Sequence, residues 1–153
     1  MIARWAVTLA ALAGCSAAAG GPATGGEDAV NLTTLAPVPY ALYDLVPPAG
    51  WDPVPLSWEP ARARFDAARA AYEAEDYRAA ARGFLECAAL LPRGPGPHAA
   101  TLASDRAAAY RNAASAWTLA GATAEARAAL EPLIADDPEC AGPLREALAR
   151  LPR

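Results

Sequence analysis

The chain has 153 residues and a formal net charge of −4, and all 13 of its basic residues are arginine. That length bounds it to about one domain, and an acidic chain without a basic run excludes the usual footprint of a nucleic-acid-binding surface. The absence of lysine, together with abundant alanine and proline, reads first as a compositional bias, which competes with any functional account of the arginines.

The N-terminus runs MIARWAVTLAALAGCS. Arg4 precedes an apolar run over residues 5–13. A helix needs ~20 apolar residues to span a bilayer, so this run is too short. A positive start, a short apolar middle and small residues at the end predict a secretory signal. The ending LAGC, with Leu12 three residues before Cys15 and small residues between, resembles the lipobox of bacterial lipoproteins. The resemblance implies cleavage after residue 14 and lipidation of Cys15. Its acyl chains would hold the protein at a bilayer, since two or more such chains suffice for stable anchoring. Ser16 follows the cysteine where an Asp does not, which by the family's sorting rule implies the periplasmic face of the outer membrane. Removing residues 1–14 takes away Arg4 alone, so −4 becomes −5.

Residues 15–56 predict a tether. SAAAGGPATGGED is small and flexible, and the prolines that follow remove backbone donors and disfavour helix. In polyproline geometry such a segment reaches on the order of 100 Å at most. Tyr40, Tyr43, Trp51 and Trp58 are many aromatics for a spacer, so this stretch is expected to dock, preferably onto the helical domain rather than onto a partner.

Residues 57–153 read as helical. Ser57 is placed to cap the first helix, with Pro60 tolerated in its first turn. Phe65, Ala68 and Tyr72 fall at helical spacing, as do Ala80, Phe84, Cys87 and Leu91 after a break near Glu75 and Asp76. Ala68, Tyr72, Ala80, Phe84, Cys87 and the closing Pro92 resemble a tetratricopeptide repeat. Arg64 departs from that pattern where the family has a bulky apolar residue, and Phe65 is placed to supply the bulk. A second copy carries Tyr110, Ala114, Trp117, Gly121, Ala126, Leu130, Leu133 and Pro138. Ala126 follows Ala80 by 46 residues against a family period of about 34, and the excess sits in RGPGPHAATLAS. Pro132 is expected to interrupt the second helix of this copy, for which Thr123 is a plausible cap. CAGPLREALARLPR offers a last amphipathic helix. The fold class expected is therefore all-α: a short superhelix of two tetratricopeptide-like hairpins with a C-terminal cap helix. Two repeats are marginal for stability, so either the aromatic linker packs on the first repeat or the domain associates with itself or a partner.

The resemblance implies a groove lined by the first helix of each repeat. Its positions fall on Arg62, Phe65, Arg69, Tyr72 and Glu73, then on Arg111, Ser115 and Thr118. Arginine pairs carboxylates through two parallel hydrogen bonds, so the groove is expected to prefer an acidic or C-terminal carboxylate segment. Phe65 and Tyr72 as plain core, with solvated arginines, is the competing account. An exported chain meets an oxidising compartment, which permits a disulfide between Cys87 and Cys140; two buried free thiols are the other reading.

Catalytic patterns are missing. The single histidine, His98, lies in a loop without a nucleophile elbow nearby. One His and two spare Cys give no metal-ligand spacing, so neither metal nor cofactor is expected. The carboxylates at Glu73, Glu75 and Asp76, and at Asp136, Asp137 and Glu139, read as solvated turn charges. The function expected is a non-catalytic envelope scaffold or assembly factor with a protein or peptide partner. A structural accessory subunit of an envelope complex is the alternative, and an envelope hydrolase a remote one.

Overall fold

The computed structural model describes residues 41–46 and 50–153. The signal segment, Cys15 and most of the tether lie outside the described residues. Among the described residues the chain is all-helical, without a strand. It forms α1 (Trp58–Glu73), α2 (Tyr77–Leu90), α3 (Ala99–Leu119), α4 (Thr123–Leu130), the single-turn α5 (Leu133–Asp136), a 3-10 turn (Pro138–Cys140) and α6 (Ala141–Arg150). No described helix is long and apolar enough to cross a membrane.

α1 and α2 form a hairpin whose seam is made of small residues. Ala61, Ala68, Ala80, Ala81 and Ala88 are buried there, and Phe65 meets Phe84 edge-on at 5.3 Å between ring centroids. The closest approach is at Gly83: a Cβ placed there would lie 2.8 Å from the Ala68 Cβ. Phe65 does supply the bulk that Arg64 cannot. Arg64 instead reaches across the hairpin to Glu86 at 3.1 Å.

α3 and α4 make a second hairpin, and α2 packs against α3 to join the two. Both hairpin turns have one backbone pattern. In the first, Glu75 N–H donates to Tyr72 O and Asp76 N–H to Ala71 O; in the second, Gly121 N–H donates to Thr118 O and Ala122 N–H to Trp117 O. The central residue is left-handed in each, with φ +62° at Glu75 and +64° at Gly121. Glycine adopts that conformation freely and glutamate at a cost.

The helix starts correct two expectations. Ser57 precedes α1 without a side-chain capping bond, and Thr123 lies inside α4 behind the uncapped Ala122. Asp76 is the residue that caps, its carboxylate accepting the Ala79 N–H at 3.1 Å. Pro132 does break the second hairpin, separating α4 from α5. α6 then packs against α3 and α4 through Leu144, Ala147 and Leu148.

The tether expected over residues 15–56 is not a free spacer up to α1. Residues 41–46 lie along the helices as an extended strap, with Leu45 only 3% exposed. Trp51 stacks on His98 at 4.8 Å and meets Trp58 edge-on at 6.1 Å. The helical body therefore includes linker residues N-terminal to the expected boundary at 57.

Candidate functional site

α3 is the central helix, buried on most sides, and such a helix is normally apolar all round. It nevertheless buries Asp105, Arg106 and Asn112, each at most 1% exposed. Buried polar groups need partners, and those of Asp105 and Asn112 are on the strap. Asn112 holds the Tyr43 backbone from both sides: its Oδ1 accepts the Tyr43 N–H at 2.9 Å and its Nδ2 donates to the Tyr43 carbonyl at 2.8 Å. Asp105 Oδ1 accepts the Val46 N–H at 2.9 Å. Two side chains of one helix thus supply the hydrogen bonds that a neighbouring strand would otherwise give.

Between these backbone anchors the strap's side chains divide. Leu45 enters the core, where burial of a leucine side chain contributes about 1.5–3 kcal/mol. Asp44 turns outward to α1 and meets Arg62 Nη1 and Arg69 Nη2, each at 3.0 Å. Asp44 is about half exposed, so these pairs are screened and each contributes no more than about 1 kcal/mol. Tyr43 lies under Arg111, with 5.4 Å from guanidinium carbon to ring centroid.

The two carboxylates at the strap titrate in opposite senses. Partial burial pushes Asp44 up, but the Leu45 amide and the Arg69 and Arg62 guanidiniums outweigh it, and the net shift is downward. Burial dominates at Asp105 and raises it, against the Val46 amide and the Trp58 indole. Asp105 Oδ2 and the Trp58 indole nitrogen are both buried without a hydrogen bond of ordinary geometry.

Beside the strap lies a cavity of about 340 Å³ between α3 and α6. Leu42 and Tyr43 form one wall, and Arg111, Ala114, Ser115 and Thr118 another. Arg111 also contacts Glu146 of α6 at 3.4 Å.

No family model, curated protein or solved structure matches this chain. Its site is therefore read from its own geometry.

The expected groove residues separate into three groups. Arg62, Arg69, Arg111, Ser115 and Thr118 come together along the strap and the cavity. The arginines there already have acidic or aromatic neighbours from the chain itself. Phe65 is a correction: it is fully buried against Phe84, beneath the guanidiniums of Arg62 and Arg69 at 5.6 and 5.2 Å. A phenyl ring in an alanine-rich seam fills the hairpin core and leaves its helix face to the arginines. Tyr72, half-buried, packs edge-on against Tyr77 at 5.4 Å, and Glu73 is exposed beyond it at the end of α1.

Of the two readings of the cysteines, the structure takes the second: Cys87 and Cys140 are buried free thiols. Cys140 donates to the Ala103 carbonyl at 3.3 Å. Burial pushes Cys87 up to about 12 and Cys140 up to about 11, which leaves both protonated and unreactive near neutrality. His98 is not a free loop histidine; besides stacking on Trp51, its Nε2 lies 3.0 Å from the Pro53 carbonyl. Among the described residues no cluster of His, Cys, Asp or Glu is arranged to hold a metal.

Asp137, expected as a solvated turn charge, is 1% exposed. Arg106 Nε donates to its Oδ2 at 2.8 Å and Nη2 to its Oδ1 at 3.3 Å, and the Tyr110 hydroxyl donates to Oδ2 at 3.0 Å. The same guanidinium also contacts the Glu139 carboxylate and the Pro92 carbonyl. Burial raises Asp137, but Arg106 and Tyr110 overcome it and its carboxyl is lowered. Sequence reasoning missed Asp105, Arg106, Asn112 and Asp137. The available signal was the run DRAAAYRNAASAW, where polar residues recur on every face of an alanine- and aromatic-rich helix.

Proposed function

We propose that this chain is a lipid-anchored lipoprotein of the bacterial envelope, acting as a non-catalytic scaffold or assembly factor through its helical groove. The observation that carries the proposal is the groove's hold on an extended segment: Asn112 and Asp105 read main chain while Arg62 and Arg69 take a carboxylate. The lipid anchor rests on the LAGC ending at Cys15. The finer fold is two tetratricopeptide-like repeats closed by α6 as a cap. In support, the two turns share one hydrogen-bond pattern, and Ala68, Ala80 and Pro92 are repeated 46 residues later as Ala114, Ala126 and Pro138.

Two measurements test this function. Mass spectrometry of the mature chain should find a lipid-modified N-terminal Cys15; an unmodified N-terminus defeats the anchor. A photoreactive residue in place of Ser115 should crosslink one identifiable envelope protein in intact cells. The yield should fall at least tenfold in Arg69→Glu/Arg111→Glu with helicity unchanged, and an equal yield defeats the scaffold. A structural accessory subunit is the second reading, favoured by the strap's occupying the groove from within the chain. Obligate co-purification with a fixed complex would select it.

A further inference from the structure

We infer that the strap, residues 41–46, is an intramolecular stand-in for the groove's ligand. The ligand itself is an extended segment of a partner protein with an aromatic, an acidic and a leucine residue in succession. This deepens the scaffold reading and rests on it.

Three observations lead there. The contacts to the strap are of a kind that any peptide of the same shape would satisfy. Asn112 and Asp105 hydrogen-bond to main-chain atoms of Tyr43 and Val46. Identity enters at three adjacent positions: a ring beneath Arg111, a carboxylate between Arg62 and Arg69, and an apolar side chain in the Leu45 pocket. The strap is also lightly held. Leu45 is its one fully buried side chain and Leu42 packs partly buried on the core, while Tyr43 is 46% and Val46 42% exposed. A segment with this much surface in water opens more readily than the helices beneath it. Finally, the strap does not fill its site. The cavity of about 340 Å³ opens beside Ala41, whose methyl group leaves most of it empty. A ligand carrying a large apolar residue at the position of Ala41 gains contacts that the strap lacks, and so competes successfully against a tethered rival. Effective concentration otherwise favours the segment already attached.

The test uses the full chain and a fluorescein-labelled peptide, YALYDLV, amidated at its C-terminus. The variant Asp44→Arg/Leu45→Ser frees the groove. It should bind the peptide at least tenfold more tightly than the wild-type chain does. Adding Asn112→Ala should abolish that binding, a lysine in place of the peptide's aspartate should weaken it at least tenfold, and a phenylalanine at the position of Ala41 should tighten it at least threefold. Equal binding by wild type and freed variant, or no binding by a freed variant of normal helicity, overturns the inference.

Where the variant fails to fold, hydrogen exchange on the wild-type chain decides. The Tyr43 and Val46 amides should exchange at least a hundredfold faster than those of Ala113 and Ala114, and faster still with excess peptide. Exchange in step with α3 overturns it. Concentration-dependent dimerisation of the freed variant would assign the groove to a second copy and overturn the partner assignment. Peptide binding without any envelope crosslink would sink the scaffold and leave the strap's role standing. A crosslinked partner with no peptide binding would do the reverse.

Discussion

The two hairpins share a turn and differ in how they are held. In the first, Asp76 caps α2, α2 runs unbroken for 14 residues, and Gly83 lets it close on Ala68. In the second, α4 is uncapped and lasts 8 residues, Pro132 ends it, and the chain continues as a single turn. What the second hairpin lacks in helix it recovers in a buried ionic cluster. Arg106 ties the Asp137 and Glu139 side chains after α5 to the Pro92 carbonyl after α2. One turn geometry thus tolerates two strategies, close apolar packing on one side and a polar clamp on the other.

The largest break in this comparison is expected at the clamp. Asp137→Ala leaves the fully buried Arg106 without its bidentate partner, and breaking a buried pair in this way costs about 3–5 kcal/mol. Chemical denaturation should show that loss. The same carboxylate sets a pH signature. Its folded pKa lies below the ordinary 3.8, so its contribution is complete above that value and is lost as pH falls through the depressed one. Melting temperature should drop on acidification below about pH 4, and more shallowly in Asp137→Asn. The strap should respond less. Asp44 has the same sign as Asp137, but the raised Asp105 contributes in the opposite sense, losing its share as pH rises.

Next in size is the apolar seam. Gly83→Val would drive a branched side chain into Ala68 and should cost about 1–3 kcal/mol, the usual range for overpacking. The equivalent position of the second hairpin is Ala129, only partly buried at the edge of the core, so Ala129→Val should cost less than Gly83→Val. The turns sharpen the comparison further. Glu75→Gly should stabilise by up to about 1 kcal/mol by relieving a left-handed glutamate, and Gly121→Ala should destabilise by a similar amount. Smallest is the cap: Asp76→Ala should cost about 1 kcal/mol or less. Thermal melts read all of these.

Much of the helical body was legible because its signals are local. Alanine-rich stretches at helical spacing, a break at Glu75 and Asp76, and prolines at 92, 132 and 138 placed the helices to within a few residues. The aromatics of the linker announced that it docks. The target of docking was harder to read. Asn112 and Asp105 look like surface residues until a strand from elsewhere supplies N–H and C=O groups to them, and nothing within a helix's own period reports such a long-range match. Phe65 failed as a groove residue for a related reason. Spacing put it on the arginine face, but only packing against Phe84 decides whether a ring at the edge of that face turns in or out. Gly83 lies so close to Ala68 that a Cβ there would clash, yet by sequence it is one weak helix former among alanines.

Attachment of the strap also sets the length of the leash. With residues 41–46 pinned and Trp51 stacked on His98, the distance available to the domain from its proposed membrane anchor ends at the strap. Release of the strap alone, with Trp51 still stacked on His98, would pay out residues 41–50 at ~3 Å each, on the order of 30 Å of additional reach. Capture of a ligand and extension away from the bilayer would then be a single event.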